Sequence, residues 1–170
     1  QVTVIQRSEQ ILSKEDPDLA GMVQQALEEE GIRIITGSQV ESVSAEGGEK
    51  IVSLRTKSGE QHHVRSEQLL VGLGRQANNG TLSLDKAGVE LNRGYIAVDE
   101  RLRSSQKHIY AAGDATGQHQ FTHAAGYEGG IVVSNAIFRV PRKADYTWLP
   151  WCTYCWPELA SIGHNAKSAT

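Results

Sequence analysis

Between His108 and Gly117 the chain reads HIYAAGDATG, an apolar run that stops at a glycine followed at once by a carboxylate. Residues 109–112 show no polar alternation, the pattern of a strand buried on both faces in a helix-covered parallel sheet. Open α/β sheets take their ligands just beyond the carboxyl ends of such strands. At that place Gly113 lets the backbone approach closely, and Asp114 can accept a hydrogen bond from a hydroxyl. An ordinary Asp-containing turn after a strand has the same two residues, so the role of the pair depends on its surroundings.

The chain opens with the signature of a βαβ unit. Residues 2–5 form a β-rich run, and Asp16-Pro17 gives a strong helix start, with Asp16 as N-cap and Pro17 at the first helical position. Leu19, Met22, Val23, Ala26 and Leu27 fall on one stripe, and Gly31 ends the helix beyond its C-cap. Glu28, Glu29 and Glu30 sit where the helix dipole disfavours anions, which marks a solvated end. Residues 32–35 read as the next buried strand. From 40 to 71 the pattern changes to short alternating strands, with turns at 46–48 and 57–59, an antiparallel meander that returns to an apolar strand at 69–71. Residues 78–93 read as loop with one helical turn, 95–98 as a strand, and 122–138 as a helix stopped by Val140-Pro141. A strand follows at 151–154, and Ser161-Ile162-Gly163 reads as the start of a further element.

A formal charge of −3 over 170 residues, with no basic stripe, gives no reason to expect nucleic acid or a charged membrane surface as partner. The longest apolar stretches, near 69–71 and 131–133, are far below the roughly 20 residues that span a bilayer. Two cysteines do not make a disulfide scaffold, and the expected location is a reducing one, the cytoplasm. Because Gln1 already lies in a strand-like run, the chain reads as an excised fragment.

Four further groups bear on chemistry. In a dinucleotide-binding βαβ unit, an acid near the end of the second strand holds the ribose of NAD, whereas an arginine accommodates the 2′-phosphate of NADP. Here the position holds Gln6-Arg7 with no acid, which favours NADPH over NADH, with Lys14 as a second positive charge; the plain alternative is a surface arginine at a strand end. Gly72-Leu73-Gly74-Arg75-Gln76-Ala77 fits G-x-G-x-x-A, but the polar residues 76–80 provide no helix N-terminus to hold a pyrophosphate, so the dinucleotide fingerprint is rejected. Cys152-Thr153-Tyr154-Cys155 on a strand puts its thiols on opposite faces, and with no second Cys pair it reads as two ordinary thiols. The fourth group is Phe121-Thr122-His123-Ala124-Ala125, which opens a helix after Asp114.

Taken together, Ser104, Gly113-Asp114 and Phe121 to Ala125 resemble the second FAD-binding motif of the pyridine nucleotide–disulfide oxidoreductases, the family that includes mercuric reductase and dihydrolipoamide dehydrogenase. Residues 72–77 are similar to that family's A-x-G-R-x-P-N crossing, with Gly72 and Ala77 at the usual alanine and proline positions. Thr153, Pro157 and Glu158 match its T-x-x-P-E pattern, with Trp156 in place of the usual Asp or His. The resemblance implies that Asp114 binds the ribitol chain of FAD beside Gly113. It also implies that the helix from Thr122, which Phe121 precedes and where His123 contributes mainly backbone and packing, aims its positive end at the flavin N1–C2=O edge. Gly74, Arg75 and the backbone near Cys152 would lie by the nicotinamide of NADPH, NADH being the other possibility.

The implied fold is α/β: an incomplete FAD/NAD(P)-binding Rossmann-like three-layer domain with an antiparallel meander, plus the start of an α+β interface domain. Residues 1–73 would belong to the NAD(P)H domain, 74–141 to the returning FAD domain and 142–170 to the linker and interface domain of a homodimer. The implied activity is hydride transfer from NAD(P)H through FAD to a disulfide or metal ion in the intact parent. The amino-terminal FAD fingerprint, the C-x-x-x-x-C disulfide, the glycine-rich NADPH turn and the carboxyl-terminal His-Glu lie outside this sequence, so the segment alone is expected to be inactive. The alternative from another class is a non-catalytic α/β module that binds a nucleotide or a partner.

Overall fold

The computed structural model describes residues 1–166 and 169, which form two compact units, Gln1–Gly72 with Pro150–Thr170, and Leu73–Leu149.

In the first unit, β1 (Thr3–Ile5) pairs in parallel with β2 (Arg33–Ile35), Val4 facing Ile34, and α1 (Pro17–Glu29) connects them. Asp16 is extended, as a residue before proline must be, and caps without a side-chain bond to α1; its Oδ2 instead accepts the Ala166 N–H at 3.2 Å. At the other end Gly31 takes φ +87°, the Gly31 N–H bonds Glu28 O and the Ile32 N–H bonds Leu27 O. This is the Schellman arrangement that the glycine announced. The buried stripe of α1 is narrower than expected: Ala20 and Val23 are buried, whereas Leu19 and Met22 are exposed. The helix turns Val23 and Leu27, one edge of the anticipated stripe, to the core with Ala20, which lay outside it, and there Ile11, Val23 and Leu159 pack with Leu12, Leu27, Ile34 and Cys155.

The meander forms as expected, β3 (Ser38–Glu46), β4 (Glu49–Thr56) and β5 (Gln61–Ser66), in that order and antiparallel. Gly47 and Gly48, at φ +61° and +89°, close the first hairpin as its two-residue loop, a conformation that few other residues adopt. Val52 and Leu54, two apart on β4, are both buried on one face. Residues 69–71, expected to be a strand, are irregular, with Leu70 96% exposed. Among the described residues the parallel sheet contains only β1 and β2, so no neighbouring strand is there to take up the backbone donors and acceptors of 69–71.

Two further strands complete this unit, β8 (Trp151–Thr153) and β9 (Leu159–Ser161), paired antiparallel. Ser161 is therefore the last residue of a strand rather than the first of a new element. The hairpin is held by Glu15, only 4% exposed, whose carboxylate accepts the Trp151 indole N–H at 2.6 Å and the Ser161 hydroxyl at 2.9 Å.

The second unit carries a short hairpin, β6 (Leu91–Asn92) and β7 (Tyr95–Ile96), and α2 (Thr122–Ala136). Residues 109–112 are not the doubly buried strand expected. They make one antiparallel bridge, Tyr110 to Arg103, and of the four only Ala111 is buried. The apolar run still serves the core, where Val89, Ile96 and Ala111 pack with Leu84, Val98, Ile109 and Ala115, but among the described residues it has no parallel partner. No helix among the described residues is long and apolar enough to cross a membrane.

Candidate functional site

The chain reverses at Gly113. Ala112 is extended, at φ −143° and ψ 160°, and Gly113 switches to φ +67°, opening a 3-10 turn over Gly113–Thr116. The Thr116 hydroxyl donates to Gly113 O at 2.9 Å and closes the turn. A Cβ on Gly113 would stand 3.0 Å from Ala125 Cβ, so the absence of a side chain is what lets α2 pack against the turn.

This turn presents the Asp114 carboxylate outward, its side chain 56% exposed, with Arg75 Nη1 at 3.7 Å. Such an exposed pair contributes at most about 1 kcal/mol, which leaves the carboxylate available to a stronger donor. Arg75 is steadied on both sides: its Nη1 donates to Gln120 O at 2.9 Å, and its own carbonyl accepts the Tyr95 hydroxyl at 2.8 Å. Beside it the Gln120 Nε2 is buried without a hydrogen-bond partner among the described residues. A buried amide in that state calls for an acceptor.

α2 begins at Thr122 with Phe121 as N-cap, and no side-chain oxygen caps its first turn. Phe121 and His123 stack with ring centroids 5.4 Å apart, and Thr122 and His123 are exposed. The structure therefore brings together Gly113, Asp114, Arg75, Gln120 and the residues that open α2: a hydroxyl acceptor, a buried amide donor and a positive helix end. The ribityl hydroxyls and the electron-rich N1–C2=O edge of FAD fit this donor and acceptor set. Arg75, expected by the nicotinamide, makes its contacts here with Asp114 and Gln120.

The remaining candidates lie elsewhere. Arg7 is exposed two residues past β1, at the carboxyl end of the parallel pair where ligands of α/β sheets sit. Gly74 takes φ +120° in the irregular stretch after the meander, and no helix follows residues 72–77, as the rejection of the dinucleotide fingerprint requires. Cys152 lies on β8, and Cys155 follows in the turn with its thiol 3.0 Å from Pro157 O. Both cysteines are free. Burial, then the Glu158 carboxylate and the Cys155 thiol, push the Cys152 thiol above its ordinary pKa, away from a reactive thiolate.

Sequence reasoning missed three residues. Glu128 on α2 is fully buried, and accepts the Gly113 N–H at 2.5 Å on Oε2 and the Tyr146 hydroxyl at 2.7 Å on Oε1. Burial, followed by that bond to Glu128, raises the Tyr146 pKa far above the usual phenol value, so its hydroxyl remains a donor. Glu15, in the first unit, was the third. A signal for Glu128 existed, a carboxylate in line with Ala124 and Ile131 at helical spacing in an apolar stretch.

The chain is 37% identical over 170 residues to the mercuric reductase of Bacillus cereus, a match covering 99% of this chain and 27% of that protein. It is 35% identical over 169 residues to a dihydrolipoyl dehydrogenase of Bacillus subtilis (strain 168), covering 99% and 36%. Among solved structures, the HOCl-induced flavoprotein disulfide reductase RclA from Escherichia coli superposes with a TM-score of 0.87 at 27% identity, over 99% of this chain and 38% of that one. The chain thus spans about a quarter to a third of the length of these curated relatives. The expected fold, a partial Rossmann-like α/β assembly with an antiparallel meander, is that of these flavoprotein reductases. The family model described as pyridine nucleotide-disulphide oxidoreductase matches residues 1–129, and the chain belongs to that family.

Proposed function

We propose that the chain is the central segment of an FAD-dependent reductase that takes hydride from NADPH and passes the electrons to a disulfide or a metal ion. The observation that carries the reading is the junction of Gly113-Asp114 with the N-terminus of α2, beside the unpartnered Gln120 amide. In this reading residues 1–73 belong to the NAD(P)H domain, 74–141 to the returning FAD domain, and 142–170 to the linker and the start of an interface domain. The intact protein is a cytoplasmic homodimer, a setting that suits two free thiols.

FAD, when bound, supplies the two-electron relay between nicotinamide and acceptor. The work of the chain is to hold and orient. Asp114 accepts a ribityl hydroxyl, and its turn stays packed against the start of α2 because Gly113 carries no Cβ. The first-turn N–H groups of α2, which no side chain caps, would hold the N1–C2=O edge of a bound flavin, their fixed dipoles suited to negative charge there. Arg75 stands 3.7 Å from the Asp114 carboxylate and offsets its charge, and Gln120 contributes its amide donor. On the coenzyme side, Arg7 pairs with the 2′-phosphate of NADPH, a charge-assisted contact that NADH does not offer.

The coenzyme assignment is tested in the full-length protein by the ratio of kcat/KM for NADPH to that for NADH. Arg7→Glu is expected to lower the ratio by about 10- to 100-fold, the loss of one phosphate contact worth about 1.5–3 kcal/mol. An unchanged ratio would remove Arg7 from the coenzyme site.

A further inference from the structure

We propose that Glu128 is a positioning residue for the flavin, setting the direction of Asp114 through the peptide that precedes it; the inference rests on the flavin reading above. A carboxylate with no exposed surface is costly in a protein interior unless donors surround it. Among the described residues two donors reach Glu128, both from outside α2, the Gly113 N–H at 2.5 Å and the Tyr146 hydroxyl at 2.7 Å. The first donor belongs to the residue immediately before Asp114, at the point where the backbone switches from extended to φ +67°. With the N–H fixed on Glu128, the plane of the Ala112–Gly113 peptide is fixed, and so is the turn that carries the Asp114 side chain. The second donor leads to the approach of α2, because the Tyr146 ring packs on His119 at 4.3 Å and edge-on to Tyr127 at 6.1 Å.

One side chain therefore ties the turn, the loop before α2 and α2 itself. A carboxylate is the group that serves this purpose, since it accepts on two oxygens at once, whereas an apolar residue of the same volume would leave both donors buried and unmet.

A residue that merely fills the core and one that positions Asp114 differ in a double-mutant cycle on FAD affinity, measured by reconstituting the full-length apoprotein with FAD. Glu128→Ala is expected to raise the FAD Kd about 10-fold or more in the wild-type background, and by less than about twofold in Asp114→Ala, where no carboxylate remains to be aimed. Tyr146→Phe, which removes one donor and keeps the ring, is expected to raise the Kd in the same direction by a smaller factor. Glu128→Gln retains an acceptor for Gly113 and is expected to recover most of the affinity. Should Glu128→Ala fail to fold, Tyr146→Phe carries the same cycle against Asp114→Ala. Effects of Glu128 and Asp114 that multiply independently, or an unchanged Kd with only a lower melting temperature, would overturn the positioning role and leave the flavin reading intact. An Asp114→Ala variant with unaltered FAD affinity would overturn both.

Discussion

Gly113→Val is expected to destabilise the protein by about 3 kcal/mol or more, the sum of two independent costs. A β-branched residue at φ +67° lies outside the conformations it ordinarily adopts, at roughly 1–3 kcal/mol. Its Cβ would also stand 3.0 Å from Ala125 Cβ and 3.7 Å from Ala125 Cα, backbone-anchored atoms that cannot swing aside, before its two methyl groups are placed. Such overpacking adds about 1–3 kcal/mol and pushes α2 off the Gly113–Thr116 turn. Urea unfolding followed by circular dichroism reads the loss. Gly126→Ala is the matched control: the same helix, open space around the new Cβ, and an expected gain of roughly 0.5–1 kcal/mol from helix propensity. A Gly113→Val variant as stable as its parent would mean that the turn does not need its left-handed residue.

The second large effect is expected at Glu15. Glu15→Ala removes the acceptor of both the Trp151 indole N–H and the Ser161 hydroxyl, at 2.6 Å and 2.9 Å, in a place with almost no solvent. Hydrogen bonds to a charged acceptor contribute about 1.5–3 kcal/mol each, and the two act through one group, so a loss of about 3 kcal/mol is expected rather than their full sum. Glu15→Gln keeps one acceptor oxygen and is expected to lose about half as much. The same unfolding measurement applies, and a loss below about 0.5 kcal/mol for Glu15→Ala would show that Leu159 and its apolar neighbours hold β8 and β9 unaided.

These sites also show which parts of the structure local sequence could reveal. α1 was legible because Pro17 and Gly31 act on their own backbone: one presets φ and gives up a donor, the other adopts the left-handed conformation that closes the helix. The β3–β4 hairpin was legible for the same reason at Gly47-Gly48. Residues 69–71 and 109–112 were misread because an apolar run becomes a strand only when neighbouring strands take up its hydrogen bonds, a condition the run itself does not encode. The width of the α1 stripe was misjudged likewise, since what packs against Leu19 and Met22 is not written in α1.

Within the candidate site, Gly113-Asp114 and the start of α2 could be read directly, a glycine and an acid ahead of a helix. The partners of Asp114 could not. Arg75 comes from 39 residues earlier in the chain, and Glu128 meets the residue before Asp114 through the Gly113 backbone N–H, a donor that every residue but proline carries. Glu15 gave no local sign, because its partner Trp151 lies 136 residues away.

The most direct measurement is FAD affinity of the full-length protein with Asp114 intact and with Asp114→Ala. Loss of a charge-assisted bond to a ribityl hydroxyl is expected to raise the Kd by about 10- to 100-fold while the unfolding midpoint of the apoprotein stays within a degree or two, since that carboxylate is half exposed and makes only a 3.7 Å ion pair. Equal affinities in the two proteins, or a wild-type protein that does not bind FAD, would contradict the assignment of this turn to the flavin.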